Sequence, residues 1–141
     1  MKILSLLLAS AGVAFACSGV GTAADLTLSF RELEYQQPRD PLLPSNQSAG
    51  ILQHTSETDI APAVIALGSL IPIGTTHTAA EVILARAGAR CHRDDARLEH
   101  CSYSDVETRD EYVDAVRWNV FLNLMGDKVQ ALSVDRSWTR S

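Results

Sequence analysis

From Arg117 to Leu124 the chain places Trp118, Val120, Leu122 and Leu124 at alternate positions, the period of a half-buried strand. Gly126-Asp127-Lys128 follows as a turn, and Val129 to Arg136 continues as a second strand. A three-residue loop at 126–128 pairs Leu122 with Leu132 and Val120 with Val134, turning the aliphatic side chains of both strands to one face. A two-residue loop sets Val120 opposite Ser133 and Trp118 opposite Asp135, which loses that burial. The three-residue register is therefore expected. It places Trp118 across from Arg136, an exposed cation–π contact of about 0.5–1 kcal/mol.

A helical period precedes these strands. Ala80, Ile83, Leu84 and Ala87 fall at i, i+3, i+4 and i+7, and Gly88 is placed to take the left-handed conformation that ends a helix. Thr78-Ala79-Ala80-Glu81 has the form of a capping box, so the helix is expected to start at Ala79. Upstream, Ile60 to Ile73 is apolar nearly throughout but is cut by Pro62, Gly68 and Pro72. Burial is expected there, with Pro62 in the first turn of a short helix through Leu67. Leu26, Leu28 and Phe30 alternate, which predicts a strand within Asp25 to Tyr35 that ends or bulges near Arg31. Gln36 to Thr58 carries Pro38, Pro41 and Pro44 among polar residues with no period, and reads as a loop or mobile linker. Asn46-Gln47-Ser48 matches a glycosylation acceptor pattern, which matters only in a eukaryotic host.

The first residues belong to another class. Lys2 precedes an apolar run from Ile3 through Ala16, and small residues follow, the pattern of a secretory signal peptide. Cleavage after Ala24 is favoured. Cutting before Cys17 would resemble a lipoprotein signal, but Ala14 and Phe15 stand where Leu and a small residue are usual. The expected organisation is a signal peptide at 1–24, an N-terminal strand and linker at 25–58, and an α+β domain at 59–141 with one or two short helices packed on a small antiparallel meander. A 46% hydrophobic content with 21% charged residues supports a globular core. A net charge of −5 with scattered basic residues argues against nucleic acid as a partner. Membrane attachment is expected only through a lipid on Cys17.

Export changes the reading of Cys91-His92-Arg93-Asp94-Asp95-Ala96-Arg97-Leu98-Glu99-His100-Cys101. Folded as a hairpin about Ala96, it pairs Cys91 with Cys101, His92 with His100, and Arg93 with Glu99. Both cysteines then share a face with Arg93 and Glu99 while both histidines point away, so one zinc ion cannot reach all four. In an oxidising compartment the cysteines are expected to pair, closing a loop worth roughly 2–3 kcal/mol. The metal alternative is His92 with His100, joined by Asp94 or His77. Asp95-Ala96-Arg97 lacks the Gly or Asn favoured in tight turns, so a looser tip is expected. No nucleophile elbow or phosphate-cradling glycine loop is present, and Asp105 to Glu111 reads as a solvated loop between two strands.

Gly74-Thr75-Thr76, Glu81-Val82 and Gly126-Asp127-Lys128-Val129 resemble the helix entry and strand turn of the SmpA/OmlA outer-membrane assembly lipoproteins and of β-lactamase-inhibitor-protein-like modules. The resemblance covers about Ile73 to Val134. Ala87-Gly88-Ala89-Arg90 lacks the proline of the family's helix exit. The resemblance implies a non-enzymatic envelope module that binds another protein. The expected partner is an envelope or secreted protein, in the periplasm or outside the cell, with no catalytic residues and no cofactor. An outer-membrane lipoprotein anchored at Cys17 is the alternative. A strand face around Trp118, Phe121 and Trp138 is one candidate surface. The other is the charged loop of Arg93, Asp94, Asp95, Arg97 and Glu99, which would suit an inhibitor or immunity-type protein.

Overall fold

The computed structural model describes residues 27–37, 50–109 and 112–141; the expected signal peptide at 1–24, Cys17 and Asn46 lie outside them. In chain order the elements are α1 (Phe30–Tyr35), β1 (Gln53–His54), α2 (Glu57–Leu70), α3 (His77–Arg86), β2 (Arg90–Arg93), β3 (Leu98–Arg109), β4 (Tyr112–Met125) and β5 (Lys128–Arg140). The strands form one antiparallel sheet in the order β1-β5-β4-β3-β2. This is an α+β fold.

Alternation in β4 builds the core. Val116, Trp118, Val120, Leu122 and Leu124 are all buried and meet Ile60, Ala63 and Leu67 of α2, Ala80 and Leu84 of α3, and Phe30 and Leu33 of α1. Each fully buried large apolar side chain contributes about 1.5–3 kcal/mol. The β4–β5 register carries Leu122 opposite Leu132, Val120 opposite Val134 and Trp118 opposite Arg136. The turn is tighter than the sequence predicted: Met125 pairs with Lys128 across Gly126-Asp127, with Gly126 at φ 63°. A register shift between Asn123 and Leu124 leaves Gln130 as the extra residue on β5. A two-residue turn plus a bulge thus reaches the pairing expected of a three-residue loop.

The helices depart from their expected starts. Residues 30–35 form a helix, not a strand, because Phe30 and Leu33, three apart, enter the core together and Glu34 is buried beside them. Three alternating residues were too few to fix the period. The expected linker ends earlier than Thr58: Gln53 and His54 pair with Trp138 and Ser137, and Ser56 caps α2 by accepting from Asp59 N at 3.2 Å. Pro62 accordingly sits in the helix interior, not in its first turn. In α3 the cap is Thr76, whose hydroxyl accepts from Ala79 N at 3.3 Å, not Thr78. Backbone bonds explain that choice. Val129 N donates to Thr75 O at 2.8 Å and His77 N to Asp127 O at 2.6 Å, which pins the chain entering α3 onto the β4–β5 turn. Gly88, at φ 102°, terminates α3 as predicted. Asp105 to Arg109 belong to β3, not to the expected loop, whose residues 110–111 lie outside the described residues. No helix among the described residues is long and apolar enough to cross a membrane.

Candidate functional site

Helices cover one face of the sheet, and the β2–β3 hairpin shows both sides of that division. Its register is Cys91 with Cys101, His92 with His100 and Arg93 with Glu99, and Cys91 and Cys101 are joined in a disulfide. The tip is tighter than its composition suggested. Asp95 Oδ1 accepts from Arg97 N at 2.6 Å and Leu98 N at 2.9 Å, an Asx-type turn that does the work of the missing Gly or Asn. Arg93 donates from Nε to Asp95 O at 3.2 Å and from its terminal nitrogen to Ala96 O at 3.1 Å. The side chains of Arg93 and Asp95 therefore hold the tip, leaving Asp94 and Arg97 exposed at its end.

Glu99 does not belong to that charged surface. It is only 2% exposed, on the helix-facing side, where its Oε2 faces His77 Nε2. The two atoms are in ion-pair contact, without hydrogen-bond alignment and with no other hydrogen-bond partner among the described residues. Glu81, one turn along α3 from His77, completes a group in which one ligand atom from each of the three residues lies within 4.8 Å of the others. A second such group, Cys91 with Glu99 and Cys101, has its sulfurs locked in the disulfide and offers no thiolate. His92 and His100 project from the other face, and among the described residues they join no third ligand. The alternative weighed from the sequence, His92 with His100 joined by Asp94 or His77, is not assembled among the described residues; the grouping found there gathers around His77. A helical His followed four residues later by Glu is the signal that the sequence carried for it.

The three aromatic candidates also divide between faces. Trp118 is fully buried on the helix side, so its Arg136 contact, 5.9 Å from guanidinium carbon to ring centroid, is an interior one. Trp138 lies opposite Val116 on that same side, half-buried, with the Arg140 guanidinium 5.3 Å from its ring. Phe121 alone turns to the uncovered face, stacked on His100 with centroids 4.7 Å apart. There, His100 Nε2 donates to Asn119 Oδ1 at 2.9 Å and His54 Nδ1 donates to Asp135 Oδ1 at 2.9 Å. A longer contact of 3.4 Å from Asn119 Nδ2 to Asp135 links the two histidine pairs into one polar chain across β3, β4 and β5. A groove of about 490 Å³ beside it is lined by His54, Ser104, Arg117 and Asn119.

No family model, curated protein or solved structure matches this chain. Among the described residues, the interior also holds polar assemblies that periodicity could not reveal: the buried Arg140–Asp114 pair and a group around Glu34. Glu34 Oε2 accepts from Trp118 Nε1 at 2.8 Å and Arg136 Nε at 2.7 Å, while Glu34 Oε1 accepts from the second guanidinium nitrogen at 2.5 Å. It ties α1 to the sheet. Near it Tyr103 stacks on Phe30 at 5.6 Å and donates to Asp105 at 2.9 Å. Burial first, then that hydrogen bond and the Asp105 charge, push the Tyr103 phenol up to about 12.

Proposed function

We propose that this chain is an exported, non-enzymatic binding module of a bacterial envelope, periplasmic or secreted, that receives a partner protein on the uncovered face of its sheet. The observation that carries this reading is the contrast between the two faces. Among the described residues, one is closed by three helices over an apolar core, and the other, which no described helix covers, presents the ordered chain His100-Asn119-Asp135-His54 with Phe121 stacked at its end. Polar groups already held in place lose little freedom when a partner bonds to them, and an aromatic beside them is a common interface anchor. The N-terminal leader pattern and the disulfide support export, since disulfides persist in oxidising compartments. The resemblance of Ile73 to Val134 to envelope and inhibitor-type binding modules points the same way.

A second reading, an inhibitor-like contact through the β2–β3 tip, is favoured by one observation: the tip is rigidified by its own side chains and closed by the disulfide. One experiment separates the two. A photo-crosslinking residue is placed in turn at position 117 or 121 on the open face, 97 at the tip, and 82 on the exposed side of α3. Adducts from 117 and 121 to the same protein, with none from 82, support the open face. Adducts confined to 97 replace it with the tip, and adducts from no position overturn both.

A further inference from the structure

We propose that His77, Glu81 and Glu99 form a binding site for a divalent transition-metal cation. His77 opens α3 directly after its Thr76 cap, and Glu81 follows four residues later, so both project from one side of the helix. The backbone bonds from Thr75 and His77 to Val129 and Asp127 fix where that side faces. Glu99 arrives from β3, paired with Leu122 in the middle of the sheet, and its side chain is only 3% exposed. Two elements, α3 and β3, thus bring one imidazole nitrogen and two carboxylates to a common point.

The buried carboxylate is what distinguishes this group from a surface cluster. A charged carboxylate removed from water needs a donor or a cation at each oxygen, and an ion pair with a protonated imidazole would supply an N–H aimed at it. Glu99 Oε2 and His77 Nε2 are in ion-pair contact but not aligned as a hydrogen bond, and both atoms are buried with no other hydrogen-bond partner among the described residues. Lone pairs directed at a shared third point account for this arrangement. Zinc binds His nitrogen and carboxylate oxygen at about 2.0–2.2 Å, which sets ligand separations of roughly 3.4 Å in a tetrahedron. The three ligand atoms, all within 4.8 Å of one another, reach that geometry when the close His77–Glu99 contact opens around the ion and Glu81, whose side chain reaches solvent, rotates toward it. Two carboxylates with a neutral imidazole carry two negative charges, which a divalent ion cancels. The nitrogen ligand favours zinc and its neighbours over magnesium or calcium, and three protein ligands leave a fourth position for water or a partner's side chain.

The test uses the full chain with its disulfide intact and no histidine tag, titrated with Zn²⁺ alone against a chromophoric competitor. One equivalent is expected to bind, and excess Mg²⁺ or Ca²⁺ is not expected to compete. His77→Ala and Glu81→Gln are each expected to weaken binding at least tenfold, while His92→Ala and His100→Ala leave it unchanged. Glu99→Gln is expected to abolish binding; because its burial puts folding at risk, Glu81→Gln, at a site that reaches solvent, keeps the test decisive. Absence of stoichiometric binding overturns the proposal, as would have been the case for a simple His77–Glu99 ion pair. Binding that survives His77→Ala and Glu81→Gln, or that is lost in His92→Ala, overturns it equally.

Discussion

Replacing Glu34 with Gln tests whether α1 is held to the sheet by charge or only by packing. The carboxylate is 1% exposed and accepts two hydrogen bonds from Arg136 and one from Trp118. An amide has one acceptor oxygen, so its nitrogen must turn a donor toward a guanidinium or indole N–H whichever way it is flipped. At least one charge-assisted bond is lost, about 1.5–3 kcal/mol. Arg136, itself 7% exposed, also loses its bidentate carboxylate, although Thr55 Oγ1 still accepts from it at 2.7 Å. Removing one side of a buried ion pair costs about 3–5 kcal/mol in all, against a total stability of about 5–15 kcal/mol. For a domain of this size that corresponds to a Tm lower by about 12–20 °C. Urea unfolding followed by tryptophan fluorescence measures the loss, because Trp118 is one of the three partners. Arg136→Met alone should cost a comparable amount, and the double variant should recover at least about 1.5 kcal/mol relative to the sum of the two. A Glu34→Gln variant within 1 kcal/mol of the parent, or losses that simply add, would refute the coupling.

Two further perturbations probe other parts of the fold. Removing the disulfide as Cys91→Ala/Cys101→Ala opens a loop of sequence separation 10 and should cost about 2.7 kcal/mol by the chain-entropy relation; equal urea midpoints for the parent with and without reductant would contradict it. The Tyr103 phenol is raised in the folded protein from 10.0 to about 12, so its stabilisation is complete below pH 10 and is lost as pH rises toward 12. Tyr103→Phe should therefore flatten the alkaline fall in unfolding midpoint measured between pH 9 and pH 11.5, and an unchanged slope would count against this assignment.

What could be read from the sequence was what a short period controls. The β4–β5 pairing followed from where Val120, Leu122, Leu132 and Val134 had to be buried, and the Cys91–Cys101 pairing followed from hairpin register. Interactions between distant segments were not readable. Glu34 and Arg136 are 102 positions apart, and nothing local marks a glutamate whose counter-charge comes from the last strand. The same holds for Glu99, which looked like part of a charged loop until α3 brought His77 against it. Thr76 prevailed over Thr78 as the cap because the β4–β5 turn fixes the chain just before it, a tertiary preference that a capping motif cannot express. Strict alternation along β4 separates Phe121 from Trp118, so these two aromatic side chains lie on opposite faces of the sheet.

The long range of the Glu34 contact has a kinetic consequence. Strands β2 through β5 are joined by short connections, and each can pair as soon as its neighbour forms. Docking α1 instead closes a loop of about a hundred residues, and that entropy is recovered only once Trp118 and Arg136 are already in place. Helix α1 is therefore expected to join last, with a φ-value near zero: Glu34→Gln should speed unfolding and leave the refolding rate almost unchanged, whereas a large slowing of refolding would place α1 in the nucleus. This buried polar contact would then act as a latch on the native state rather than as a guide toward it.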